Sequence, residues 1–163
     1  KQLIQKEKIK YISIRLGNNG PIRKNTSPLF DWGPHVFSIL NYIVNINDYK
    51  FSKGKVFYKN KDKYNIYLNY LKNNYNIKIL FGNNFSMKNI VVKMQSNNLR
   101  YTYLDSLSYI EDKITNQKIN FEIKSPLENS ISQFLSYCKF YKQDLSMMNI
   151  TKNLEYIKNK YLK

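Results

Sequence analysis

Alanine does not occur in this sequence, cysteine and histidine occur once each, and acidic residues number 11 against 27 basic ones. Each scarcity closes something off. A lone Cys138 forms no internal disulfide. Cys138 and the lone His35, with no motif around either, build neither a zinc site nor a Cys-His pair. The five glycines form no phosphate-cradling loop. Among the acids only Glu111 and Asp112 are adjacent, whereas carboxylates for metal-assisted phosphoryl transfer must converge from different elements. No catalytic residue, metal site or cofactor is therefore expected, and the chain reads as non-enzymatic. No apolar run approaches the roughly 20 residues of a membrane-spanning helix. The longest, residues 36–46, is interrupted by Ser38, Asn41 and Asn45. The lysine-rich start lacks the apolar core and cleavage site of a signal peptide.

What is abundant is equally biased. The 24 lysines, 23 asparagines, 19 isoleucines and 15 tyrosines have A/T-rich codons, while the scarce residues have G/C-rich ones. Nothing physical would exclude alanine, the best helix former, so an AT-rich genome explains the bias. Organellar DNA and an AT-rich nuclear genome are both sources. A hydrophobic share of 42% with a mean hydropathy of −0.57 fits a folded chain. The net charge of +16 opposes compaction unless an anionic partner offsets it. Because the basic residues are spread over strands, loops and helices, nucleic acid is favoured over a membrane surface, which would select one Lys-rich helical face.

Along the chain, Ile12, Ile14 and Leu16 alternate with Tyr11, Ser13 and Arg15, predicting a strand over 9–16. Residues 17–34 hold three glycines and three prolines and read as an extended loop ending in Phe30, Asp31 and Trp32. Pro34 opens a helix with the stripe Val36, Ile39, Leu40, Ile43 and Val44. A lysine-dense stretch, 50–63, precedes a helix carrying Tyr64, Tyr67, Leu68 and Leu71. Two strands follow, around Ile77 to Phe81 and Ile90 to Met94, with a turn at Gly82 to Asn84. Leu104, Leu107, Ile110 and Ile114 suggest a third helical stripe, and Ile119, Phe121 and Ile123 a strand with Phe121 in the core. Ser125 to Glu128 form a capping box that opens a helix through Cys138, and a last helix runs over 151–161. The expected fold class is α+β, a small mixed sheet with helices packed on one face.

Tyr11 to Gly17, reading Tyr-Ile-Ser-Ile-Arg-Leu-Gly, resembles the Ile-Arg-Leu-Gly start of the third protein of the small ribosomal subunit in its organellar form. Phe30-Asp31-Trp32 is similar to the aromatic segment that follows there. The stretches from Asn76 to Phe81, Lys88 to Lys93 and Lys118 to Ile123 resemble its strands, and Ser130 to Gln133 its Ser-Ile-x-x-Gln run. The resemblance covers about residues 11 to 140 and implies a K-homology (KH) RNA-binding domain. On that basis 1–60 would be a basic extension, 61–145 a KH-like domain and 146–163 a C-terminal helix. Two departures stand out. Where the Gly-x-x-Gly loop that grips phosphates belongs, the sequence reads Ser96 to Tyr103 with no glycine. Nothing corresponds to that family's C-terminal domain, which a separate chain from a split gene would supply.

The resemblance and the charge together imply a structural constituent of a mitochondrial or other organellar ribosome. Ribosomal RNA and neighbouring head proteins would be its partners. The RNA-contact candidates are Arg15, Asn18, Asn19, Arg23 and Lys24 in and before the loop, where bidentate arginines and bare amides suit phosphates. To these are added Lys50, Lys53, Lys55 and Lys59 in the aromatic-interleaved run, and Arg100 at the degenerate loop. The alternative is a peripheral basic subunit of an organellar membrane complex, respiratory or ATP-synthase.

Overall fold

The computed structural model describes residues 9–20, 26–104, 107–121 and 146–162. Eight strands form one mixed sheet: β1 (Tyr11–Gly17), β2 (Lys50–Asn60), β3 (Lys63–Lys72), β4 (Tyr75–Gly82), β5 (Asn89–Gln95), β6 (Leu99–Leu104), β7 (Leu107–Asp112) and β8 (Lys118–Phe121). Their order across the sheet is β2-β3-β4-β1-β5-β6-β7-β8. Every neighbouring pair is antiparallel except β1 with β4, which run parallel with Ile12 opposite Ile77 and Leu16 opposite Phe81. Among the described residues, two helices, α1 (Pro28–Ile43) and α2 (Ser146–Tyr161), lie together on one face.

Alternation decides which face is covered. Ile12, Ile14 and Leu16 of β1, Tyr64, Ile66, Leu68 and Tyr70 of β3, and Ile77, Ile79 and Phe81 of β4 are all buried under the helices. From α1 come Leu29, Val36, Phe37 and Leu40, and from α2 Ile150, Leu154 and Ile157. Burial in this core pushes the Tyr70 hydroxyl well above its ordinary pKa, with Tyr156 and Tyr161 adding to the shift. Two close approaches rely on glycine. A Cβ on Gly33 would stand 2.4 Å from Leu154 Cδ2, so its absence lets α2 seat against α1. Gly82, with φ +148°, ends β4 where a side chain would meet the Tyr64 carbonyl.

The α+β class stands, but the KH-like architecture does not: eight strands in a single sheet replace a small one. The expected helix at Tyr64 to Leu71 is strand β3. Its residues fit a helical stripe, yet Tyr64, Ile66, Leu68 and Tyr70 also alternate, and aromatic and β-branched content favours the pleat. The stripe from Leu104 to Ile114 is likewise two antiparallel strands, β6 and β7, with Leu104 paired to Leu107. The lysine-dense stretch is edge strand β2, and lysine is a residue that protects an edge from unwanted pairing. The long loop is shorter than expected because Pro28, not Pro34, occupies the first helical turn; Pro34 lies inside α1. The strands at 11–17, 75–82, 89–95 and 118–121 and the final helix agree with the sequence reading. Ile119 is 64% exposed rather than inward, and the side chain of Phe121 lies outside the described residues. So does the helix expected through Cys138.

Candidate functional site

Because β1 and β4 are parallel, their C-terminal ends, Gly17 and Gly82, fall at one edge of the sheet. In open sheets the ends of parallel strands are where ligands tend to be held. Here the edge is finished in carboxamides. The backbone of Asn18 closes it: its N–H donates to the Gly82 carbonyl (3.3 Å) and its C=O accepts from the Phe85 N–H (3.2 Å). Asn65 donates to the Asn84 carbonyl (2.8 Å) and accepts the Asn84 amide (2.9 Å). The buried Asn83 accepts the Tyr64 amide and donates to the Asp62 carbonyl, each at 3.0 Å. Lys63 at the start of β3 donates to Asn19.

The first turns of α1 belong to the same edge, since Leu29 lies against Tyr64 at the start of β3. The helix begins where the Phe30 and Asp31 amides bond the Ser27 carbonyl (2.9 and 3.0 Å). Asp31 sits in the first turn, where a carboxylate complements the positive end of the helix. His35 follows four residues later, so the two share a face with Cβ atoms about 5–6 Å apart. His35 is exposed and Asp31 half-buried. The Trp32 ring stands 6.3 Å from the imidazole, tilted by 57°. Its indole Nε1, a buried donor, has no protein partner. An imidazole one turn from a carboxylate can take or give a proton while the acid orients it.

Sequence reasoning missed this pair. Both residues were visible, but reading 17–34 as a loop hid their helical spacing; the Ser27-Pro28 start signal could have exposed it. The residues expected to bind RNA do not converge. Arg15 points out from β1 on the open side of the sheet, with Lys53 and Lys55 on the same side three strands away and Arg100 two strands away in the other direction. Arg100 is bridged to Glu111 at 2.7 Å. Lys50 and Lys59 are exposed on β2, and Asn18 and Asn19 belong to the carboxamide edge. Arg23 and Lys24 lie outside the described residues. A hollow of about 450 Å³ lies at the opposite end of β2 and β3, lined by Asp48, Lys50, Phe51 and Lys72 among others. No group of three or more potential metal ligands occurs among the described residues.

No protein-family model matches the chain, and no curated protein does. Solved structures do. A dehydrogenase (MviM) from Clostridium difficile superposes with a TM-score of 0.77 at 15% identity, covering 97% of this chain and 57% of that one. UDP-N-acetylglucosamine 3-dehydrogenase GnnA from Acidithiobacillus ferrooxidans gives 0.72 at 6% identity, over 98% and 57%. KijD10, a 3-ketoreductase from Actinomadura kijaniata in complex with TDP-benzene and NADP, gives 0.68 at 10%, over 88% and 49%. The likeness is one of fold. The chain spans somewhat over half the length of the structures it matches most fully. These matches overturn the resemblance to a ribosomal protein and, with it, the expected place in a ribosome, the ribosomal RNA and head-protein partners, and a split ribosomal gene. The membrane-complex alternative falls on the same finding. So does the non-enzymatic reading, because the proteins that share the fold are dehydrogenases and ketoreductases.

Proposed function

We propose that this chain is the substrate-side domain of an oxidoreductase acting on a hydroxyl- or keto-bearing, sugar-like compound. The observation that carries it is the superposition of nearly the whole chain on about half of a dehydrogenase. The residues present do not fit a dinucleotide. Such a site calls for a doubly wound parallel sheet, helices on both faces and a glycine-rich first turn. Here a single pair of strands is parallel, both described helices share one face, and no Gly-x-Gly-x-x-Gly occurs in the sequence. A nucleotide-binding unit would therefore be a separate part of the working protein.

Within this chain, His35 is the proton-transfer group, with Asp31 one helical turn away on the same face. The helix that carries them starts against Tyr64 at the edge where β1 and β4 end, and the carboxamides and Lys63 of that edge offer donors and acceptors suited to several hydroxyl groups. Alcohol oxidation needs the hydroxyl proton removed, and an exposed imidazole is the usual base near neutral pH. The test is NAD(P)H-linked turnover of nucleotide sugars by the complete working protein. His35→Asn should lower kcat by about 10²- to 10⁴-fold with little change in KM. Unchanged turnover in that variant, or none with any hydroxylated or keto sugar in the unmodified protein, refutes the assignment.

A further inference from the structure

We infer that Asn19 is a self-modifying residue, deamidating through attack of the Gly20 backbone nitrogen on its side chain. This goes beyond the oxidoreductase reading and does not rest on it, because the chemistry is read on Asn19 itself and not in turnover. Of the 23 asparagines, Asn19 alone is followed by glycine. That neighbour matters sterically. To close the cyclic imide, the nitrogen of the next residue must fold back on the side-chain carbonyl carbon, and a Cβ on that residue crowds the approach. Asn19 is also exposed, in the bend that leaves β1, so water and base reach it.

Two neighbours act on this reaction with opposite sign. The half-buried Lys63 donates its ammonium to Asn19 Oδ1. That contact makes Cγ more electrophilic and stands where the oxygen gathers negative charge in the tetrahedral intermediate, as an oxyanion-hole donor does. Asn18 works against it. Its Oδ1 accepts the Gly20 N–H at 3.0 Å, so the proton that must leave the nucleophile is engaged, and the nitrogen's reacting direction points at Asn18 instead of Asn19. The backbone of Asn18 is tied to Gly82 and Phe85, which fixes that restraint in place. Lys63 therefore primes the electrophile while Asn18 holds back the nucleophile, and the rate reflects their balance. Asn73, also exposed but followed by Asn74, provides the internal reference.

The step balances without oxidant or cofactor. The Gly20 nitrogen bonds to Asn19 Cγ, the Cγ–Nδ2 bond breaks, and the proton from Gly20, passed through water, leaves with the departing ammonia. Water then opens the imide. Breaking the bond from the Gly20 nitrogen to Cγ gives aspartate, and breaking its bond to the Asn19 backbone carbonyl carbon gives isoaspartate. The net change is water consumed and ammonia released. A carboxylate then stands against Lys63 where a neutral carboxamide stood, so the edge where β1 and β4 end becomes less positive. Isoaspartate also lengthens the main chain by a methylene beside the Gly17–Gly82 junction.

The experiment incubates the full protein at mildly alkaline pH and follows the peptide containing Asn19 by mass spectrometry, with isoaspartyl methyltransferase labelling to count isoaspartate. The expected result is a mass gain equal to the exchange of NH2 for OH, at Asn19 well ahead of Asn73, with both aspartate and isoaspartate formed. Lys63→Gln should slow the reaction about 3- to 10-fold and Asn18→Ala should speed it about 3- to 10-fold, the effect of one hydrogen bond in each case. If Lys63→Gln fails to fold by thermal melt, Lys63→Met serves instead. Conversion at Asn19 no faster than at Asn73 overturns the inference. So does aspartate as the sole product, which signals direct hydrolysis by water. A Lys63 variant that reacts as fast as the unmodified protein, or an Asn18→Ala variant that reacts no faster, overturns it too.

Discussion

Replacing Gly82 by alanine tests the junction on which the candidate site is built. Gly82 has φ +148°, a region that L residues enter only with strain. A Cβ there would lie 2.2 Å from the Tyr64 carbonyl, 2.6 Å from Asn65 Oδ1 and 2.8 Å from Asn65 Cα. Two of those three atoms are backbone of β3, which is hydrogen-bonded on both sides and has no room to retreat. Backbone strain of about 1–3 kcal/mol and overpacking of about 1–3 kcal/mol give a destabilisation of about 2–6 kcal/mol. At roughly 2–4 °C per kcal/mol for a chain of this size, Tm should fall by roughly 4 to 24 °C. Gly33→Ala is the informative comparison. Its steric conflict, 2.4 Å, is with the end of the Leu154 side chain, and the next atom is 3.6 Å away. Rotation of Leu154 and the helix propensity of alanine, worth about 1 kcal/mol, should keep the net change within about 1 kcal/mol. Melts of both variants by circular dichroism decide the matter. If Gly82→Ala melts with the unmodified protein, or Gly33→Ala is the more damaged, backbone contact at the end of β4 does not control this edge.

Phe81 is fully buried, so Phe81→Ala should cost about 3–5 kcal/mol in urea unfolding, whereas Phe57→Ala, at a site 43% exposed, should cost far less. Asn83→Ala strips the buried Tyr64 amide of its acceptor and should cost about 1–3 kcal/mol; a neutral result would show that water replaces the carboxamide. The Asp112 carboxyl is held below its ordinary pKa by the Thr115 and Ile114 amides it accepts. A depressed folded pKa means this turn's support is present at neutral pH and lost as pH falls through the depressed value. In an NMR titration the amide signals of Ile114 and Thr115 should therefore move together at a midpoint below that of an ordinary aspartate. The isolated chain should show no saturable binding of NADPH by calorimetry, and stoichiometric binding would contradict the separation of the nucleotide unit.

What the sequence made legible was local. Alternation at Ile12-Ile14-Leu16 and Ile77-Ile79-Phe81 gave two strands, but nothing in either segment says that they pair in parallel across some sixty residues of intervening chain. That pairing places β1 in the middle of the sheet and brings Gly17 and Gly82 to one edge, against which the start of α1 lies. At Tyr64 to Leu71 two periods fitted the same residues, and only the neighbours β2 and β4, invisible in the segment itself, select the pleat. The site was obscured for a related reason. Asp31 and His35 carry no signal as single residues, and their spacing has chemical meaning only once Ser27 and Pro28 start the helix.

The ribosomal resemblance failed in an instructive place. Tyr-Ile-Ser-Ile-Arg-Leu-Gly is a pattern that any half-buried strand ending at a tight junction can satisfy. The three aliphatic side chains face the core, Tyr11, Ser13 and Arg15 face outward, and Gly17 is bare because a Cβ would stand 2.2 Å from the Gly82 carbonyl and 2.3 Å from Phe85. Each position is explained by what lies opposite it in this sheet, with no contribution from RNA. The charge argument weakens in the same way. An AT-rich coding bias supplies isoleucine, phenylalanine and tyrosine for the core and lysine and asparagine for the surface, so the buried pattern survives while the exterior becomes basic. A fold specified by alternation and two or three obligatory glycines tolerates that drift. Superposition on dehydrogenases at 6 to 15% identity is the outcome such a specification permits. Net charge then describes the exterior of the fold.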